Sequence, residues 1–206
     1  MILKNKNFCS EDGEELKKPN FGIMKDEIVY KEFKRRTVFL YDDISEDTEM
    51  ILNHSLERLC KPNPNGEKKP ITIKISSYGG VSTAMFSIVS SIESCIAMGY
   101  PVICRGYGKI ASAAIPIFLS GSERYCQKYT RFTLHNIQLF IMGGVSGEQI
   151  KRIHSDTDDV LKAYEKIVIS KSKISKEEFR KQLDRDAEWS FFGSDALKLG
   201  MVDKLF

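Results

Sequence analysis

The sequence predicts an α/β domain of stacked βαβ units around a mainly parallel sheet. Three observations predict it: the chain is 206 residues long, short apolar runs alternate with segments of helical period, and its centre is poor in charge. This length suits one domain with its own core and at most a short appendage. Residues 71–121 contain only four charged side chains, Lys74, Glu93, Arg105 and Lys109, in a chain that is 29% charged overall. Charged side chains are rarely buried, so this stretch is the expected core.

Residues 1–36 mix Glu11, Asp12, Glu14 and Glu15 with Lys17 and Lys18 before Pro19-Asn20, and show no helical or alternating apolar period. They are expected to form a mobile arm, with the folded domain spanning 37–206. Val38-Phe39-Leu40-Tyr41 reads as the first strand. Asp43-Ile44-Ser45-Glu46 then opens a helix carrying Met50, Ile51, Leu52, Leu56 and Leu59, which ends in the loop Lys61 to Gly66. Ile71-Thr72-Ile73-Lys74-Ile75 is the second strand. After a Gly79-Gly80 turn, a helix places Met85, Ile88, Val89, Ile92 and Ile96 on one face and stops at Gly99. The unit repeats with Val102-Ile103-Cys104 as strand, Gly106-Tyr107-Gly108 as turn and a short helix of small residues from Ala111 to Leu119. Strand, helix, strand, helix implies right-handed crossovers.

Two further strands are expected at Arg124 to Cys126 and at Phe132 to His135. A Gly143-Gly144 turn leads to a long helix over about 147–170, along which Ile150, Ile153, Val160, Leu161, Tyr164, Ile167 and Val168 form a continuous stripe. That is more apolar surface than one small domain needs on a peripheral helix, so part of it is expected to meet another subunit. Ser175-Lys176-Glu177-Glu178 is a capping box for a shorter helix, and the chain closes through Gly193 to Asp203.

Composition excludes several function classes. Lys plus Arg number 31 and Asp plus Glu 28, a net charge of +3 that gives no support for a nucleic-acid-binding surface. The uncharged run Ile75 to Ile92 is long enough for a membrane span, but its six serines and two glycines argue against lipid exposure. The N-terminus Met1-Ile2-Leu3-Lys4-Asn5-Lys6 has no apolar signal stretch, so a cytoplasmic protein is expected. Cys9, Cys60, Cys95, Cys104 and Cys126 are odd in number and widely spaced. They signal neither a disulfide framework nor a metal site, and read as small buried hydrophobes in a reducing compartment.

In open α/β sheets ligands gather where strands end and helices begin. Ser77-Tyr78-Gly79-Gly80 offers unobstructed backbone N–H groups there. It contains no GxGxxG or GxxxxGK[ST] phosphate motif, but an oxyanion hole needs only one or two such donors. In Gly108-Lys109-Ile110-Ala111-Ser112-Ala113-Ala114, small neighbours leave the Ser112 hydroxyl open, either as a helix cap or as a nucleophile, although the segment is not a GxSxG elbow. A serine nucleophile needs a base, and the chain has only His54, His135 and His154. His54 and His154 sit on helices and read as surface residues. His135 ends a strand, from which a side chain can enter a cleft. Asp184-Arg185-Asp186-Ala187-Glu188 supplies three carboxylates to orient a base, or is a solvated loop.

Together these segments resemble the Clp protease proteolytic subunit (ClpP) family of serine peptidases, from about Arg36 to Phe206. Ser76-Ser77-Tyr78-Gly79-Gly80-Val81 resembles the family's Ser-Pro-Gly-Gly-Val turn, and Gly108 to Ser112 its nucleophile segment. Leu134-His135-Asn136-Ile137 resembles its histidine strand. Arg185-Asp186 and Ala196 to Asp203 resemble its closing motifs. The resemblance implies a ClpP/crotonase-like spiral of βαβ units with a protruding handle helix at about 147–170. It also implies Ser112 as nucleophile, His135 as base, Asp186 as orienting carboxylate, and an oxyanion hole from Gly79 and Ala113, with no cofactor and no metal. It further implies unfolded polypeptide substrates, a homo-oligomer of stacked rings, a tetradecamer in the family, and an AAA+ unfoldase partner, because this chain has no nucleotide motif. Tyr78 stands where the family has proline and Asn136-Ile137 where it has Gln-Pro. About two additional residues follow Asp186, which leaves Asp184 or Glu188 as alternative carboxylates. Rival readings are a crotonase-type coenzyme-A thioester enzyme, a catalytically inactive ClpP-like ring component and a viral capsid-maturation peptidase.

Overall fold

The structure, a computed structural model, describes residues 21–62, 65–137, 143–183 and 188–206. The described residues divide between Arg35 and Arg36 into two compact units, and the first 20 residues of the arm expected over 1–36 lie outside the described residues. In the first unit Phe21–Lys34 forms helix α1, where the sequence reading found no helical period. Its supports are local: a Lys31–Glu27 ion pair one turn apart and Lys31 and Lys34 in the last turn, where cations complement the helix dipole.

The second unit opens with β1 (Thr37–Leu40), α2 (Glu46–Leu59), β2 (Ile71–Ser77), α3 (Ser82–Ala97), β3 (Val102–Ala111) and α4 (Ala114–Leu119). It continues with β4 (Glu123–Cys126), β5 (Arg131–Leu134), α5 (Gly147–Ser170), α6 (Lys176–Leu183), β6 (Trp189–Phe192), α7 (Gly193–Lys198) and β7 (Lys204–Leu205). The sheet runs β1-β2-β3-β4-β7 with every pair parallel, and β5 branches from β3 to pair antiparallel with β6. The branch lies on one strand: residues 103–106 of β3 pair with β4, and residues 109–111 pair with β5.

Local chemistry explains the elements. Ser45 caps α2 by accepting the Thr48 N–H, and Ser146 with Gln149 forms a reciprocal capping box on α5. Alternate residues of β2 are buried, with Ile71, Ile73 and Ile75 fully inside. On α3 the buried face is Ala84, Met85, Ile88, Val89, Ile92 and Cys95, and all six residues of α4 are buried. The charge-poor centre is therefore the core. On α2, Leu52, Leu56 and Leu59 face inward, whereas Met50 and Ile51 are exposed.

Two expectations are corrected. Gly106-Tyr107-Gly108 is not a turn but part of β3. Ile75 pairs with Gly106 and Ser77 with Ile110, so β3 takes up two additional residues as a bulge, with Gly108 at positive φ. The glycines that read as a turn serve a strand irregularity instead. The helix expected from Ala111 starts at Ala114, because β3 runs through Ala111 and Ser112 breaks the path between them. Of the four described cysteines, all free thiols, Cys95, Cys104 and Cys126 are buried and Cys60 is half-buried. Cys9 lies outside the described residues.

Candidate active site

A groove of about 490 Å³ lies at the ends of β2, β3 and β5, lined among others by Tyr78, Gly80, Ser112, Ala113, His135 and Tyr164. Ser112 sits between β3 and α4 with φ at +52°, a conformation that costs a non-glycine residue of order 1–3 kcal/mol. Neighbours hold it there. Its N–H donates to the Thr133 carbonyl, and its own carbonyl accepts the Ile115 N–H and the buried Tyr164 hydroxyl from α5 at 3.2 Å. Burial pushes the Tyr164 hydroxyl pKa well up, so it is a donor at any ordinary pH. This is a strained strand-to-helix elbow without the GxSxG signature. Ser112 is thus a turn residue and not a cap: the Ala113 position preceding α4 receives no side-chain cap bond.

The glycine turn packs directly beneath. A Cβ on Gly79 would stand 2.6 Å from Ser112 Cβ, and one on Gly80 would stand 2.1 Å from the Ile44 carbonyl oxygen, so both positions require glycine. Ile44 clamps the turn from both sides, its N–H donating to the Gly79 carbonyl and its carbonyl accepting the Val81 N–H. The expected oxyanion donor Gly79 is buried and donates its N–H to Ser77 Oγ at 3.1 Å. Gly80 instead lines the groove. Among the described residues the N–H groups of Gly80 and Ala113 have no hydrogen-bond partner. The sequence contains both glycines, and only the folded turn distinguishes the one that lines the groove.

His135 follows β5 and lines the same groove, half-buried. Its Nδ1 donates to the Asn136 carbonyl at 2.6 Å, which leaves Nε2 as the basic nitrogen. Among the described residues the Ser112 hydroxyl and the imidazole are not hydrogen-bonded to each other. His54 and His154 are exposed on α2 and α5, His154 beside Asp158. Asp184 and Asp186 lie outside the described residues. Glu188 is described and exposed. The β5–β6 register ends at the pair Leu134–Trp189, which His135 follows on one side and Glu188 precedes on the other. Tyr78, in the turn-proline position, is 71% exposed at the groove and carries the Lys109 ammonium 3.9 Å over its ring.

Two features escaped the sequence reading. Tyr164 read only as one residue of an apolar stripe, yet its hydroxyl anchors the elbow. The other is strand β6, which the aromatic Trp189-Ser190-Phe191-Phe192 could have signalled. Among the described residues no group of three or more His, Cys, Asp or Glu side chains gathers to hold a metal ion, and no helix is long and apolar enough to cross a membrane. On α5 only Tyr164, Glu165 and Val168 are buried by this chain, and Ile150 is exposed.

Residues 22–206 match the Clp protease family. The ATP-dependent Clp protease proteolytic subunit 2 of Treponema denticola is 29% identical over 206 residues, covering 97% of this chain and 94% of that protein. Proteolytic subunit 3 of a Synechococcus strain is 23% identical over 171 residues, 82% of each chain. A solved structure of a ClpP1 mutant from Listeria monocytogenes superposes with a TM-score of 0.72 at 23% identity, over 87% of this chain and 95% of that one, which establishes the ClpP/crotonase-like fold. The family match spans the whole second unit, and the chain belongs to the Clp protease family.

Proposed function

We propose that this protein is a serine endopeptidase that hydrolyses unfolded polypeptides, with Ser112 as nucleophile and His135 as general base and then acid. The observation that carries this reading is Ser112 itself: a strained serine at the end of β3, opening into the same groove as His135 and as the two unpaired N–H groups of Gly80 and Ala113. In the reaction His135 Nε2 takes the Ser112 proton as Oγ attacks the scissile carbonyl. The oxyanion of the tetrahedral intermediate accepts hydrogen bonds from Gly80 and Ala113, and His135 passes the proton to the leaving amine. Water activated by the same imidazole then hydrolyses the acyl-enzyme.

A carboxylate at His135 Nδ1 would replace the Asn136 carbonyl bond and stabilise the imidazolium. The family resemblance points to Asp186, whereas Glu188, which immediately precedes the β6 residue paired with Leu134, is the alternative among the described residues. By family, the working form is an oligomer of stacked rings, a tetradecamer in that pattern, in the cytoplasm with an AAA+ unfoldase. Ile150, exposed near the N-terminus of α5, fits a contact between subunits.

A fluorophosphonate probe tests the nucleophile. Adduct on Ser112, lost in Ser112→Ala, is expected; a folded, assembled sample that takes no label favours the inactive ring component or the thioester enzyme. Asp186→Asn and Glu188→Gln separate the carboxylates, since the one that orients His135 lowers turnover strongly and the other leaves it near wild type.

A further inference from the structure

Cys60 and Cys95 are 35 positions apart in sequence, with no CxxC spacing, yet their Sγ atoms stand 2.9 Å apart. That is well inside ordinary sulfur contact and roughly 1 Å beyond a formed disulfide bond. Their surroundings differ. Cys60 is the C-cap residue of α2 and half-buried, so a small reagent can reach it, whereas Cys95 on the buried face of α3 is 3% exposed behind it. Cys104 and Cys126 are buried free thiols on β3 and β4. Among the described residues, one outer and one inner thiol are therefore already in contact, and two further thiols are buried elsewhere in the fold.

We infer that Cys60 and Cys95 form a thiol–disulfide exchange site that takes a small-molecule disulfide such as oxidised glutathione. The Cys60 thiol loses its proton to water, and its thiolate attacks one sulfur of the reagent. The reagent's S–S bond breaks, one glutathione thiolate leaves, and a mixed disulfide forms on Cys60. Cys95 then loses its proton and attacks Cys60 Sγ, forming the Cys60–Cys95 bond and expelling the second glutathione thiolate. Two protein thiols are oxidised and one glutathione disulfide is reduced to two thiols. The order of attack follows from burial, which pushes the Cys95 thiol up to about 12, with the neighbouring Cys60 adding to the shift. The inner thiol is a poor first nucleophile, but it needs no travel to resolve a mixed disulfide 2.9 Å away.

The bond would tie the end of α2 to α3 and close a loop containing β2 and the Gly79-Gly80 turn. Closing a loop of this length limits the unfolded chain, so the oxidised protein should melt several degrees higher. The site does not depend on the peptidase reading, and its test needs no peptidase activity.

The full-length protein is incubated natively with oxidised glutathione, alkylated with N-ethylmaleimide under denaturing conditions, and peptide-mapped. The expected result is a Cys60–Cys95 cross-linked peptide lighter than its two reduced components by about 2 Da, with Cys104 and Cys126 alkylated. Dithiothreitol should reverse both the cross-link and the rise in melting temperature. In Cys95→Ser the mixed glutathione adduct should persist on Cys60, and in Cys60→Ser Cys95 should stay free. Cys60 and Cys95 both recovered as alkylated thiols from folded wild-type protein would overturn the proposal, as would a cross-link that joins Cys60 to another cysteine. The wild-type map decides the matter even if a serine variant fails to fold.

Discussion

Replacing Gly79 by alanine tests the junction of the glycine turn with the elbow. The added Cβ would lie 2.6 Å from Ser112 Cβ, 2.8 Å from the Ala111 carbonyl oxygen and 3.0 Å from the Ala113 nitrogen. Two of these three atoms are backbone, so no flexible side chain can swing away. Gly79 also has φ at +103°, where an L-residue is strained by about 1–3 kcal/mol, and overpacking adds about 1–3 kcal/mol. The sum of roughly 2–6 kcal/mol corresponds to a fall of roughly 5–20 °C in melting temperature for a domain of this size. Restoring ordinary contact at 3.4 Å requires Ser112 Cβ to retreat by about 0.8 Å, from 3.4 minus 2.6. A shift near 1 Å in a reacting group costs about 10²-fold, so fluorophosphonate labelling of Ser112 should slow by that factor. Gly147→Ala is the control, since nothing lies within 4 Å of its Cβ position and its φ is ordinary. A Gly79→Ala protein that melts within about 1 °C of wild type and labels within about 3-fold would refute the packing argument.

Tyr164→Phe should keep the fold and reduce kcat/KM by about 2- to 5-fold, the lower part of the range for one hydrogen bond. The Ser112 carbonyl retains the Ile115 N–H at 2.9 Å, so the loss does not orphan it. Peptidase assays beside a melting curve separate this effect from instability. Glu165→Gln probes the pair between α5 and α6, where the Arg180 hydrogen bond at 2.8 Å holds the Glu165 carboxyl below its ordinary value of 4.5 against the opposing push of burial. A depressed carboxylate contributes stability that is fully present above the ordinary value and lost as pH falls through the folded one. Wild type should therefore melt above the variant at pH 7, by about 1 kcal/mol or less because the Arg180 side chain is half exposed, and the gap should close below about pH 4.5. Melting curves from pH 3 to 8 with a constant gap would contradict this assignment.

Much of the architecture was legible because it rests on local terms. The α5 boundaries follow from the Ser146 cap and from periodic apolar residues, and those of α3 from a buried face that repeats every three or four positions. Glycine was legible as an interruption but not as a kind of interruption. Gly106 and Gly108 read as a turn because chemistry that permits a turn also permits a bulge, and which one forms depends on the partner strand. The short strand β6 has the aromatic residues that suit a strand, but its four positions are too few to mark it without the β5 edge it pairs with.

Charge depletion, periodicity and the scarcity of histidine are properties of a string, so the α/β class, the buried centre and Ser112 and His135 as candidate nucleophile and base could be read from it directly. Folding in three dimensions was needed to make Ser112 a strained elbow anchored by Tyr164, to line the groove with Gly80 and not Gly79, and to bring Cys60 against Cys95. Each of these is a direction or a contact between segments far apart along the chain. Register and packing set such features, and a one-dimensional pattern carries neither.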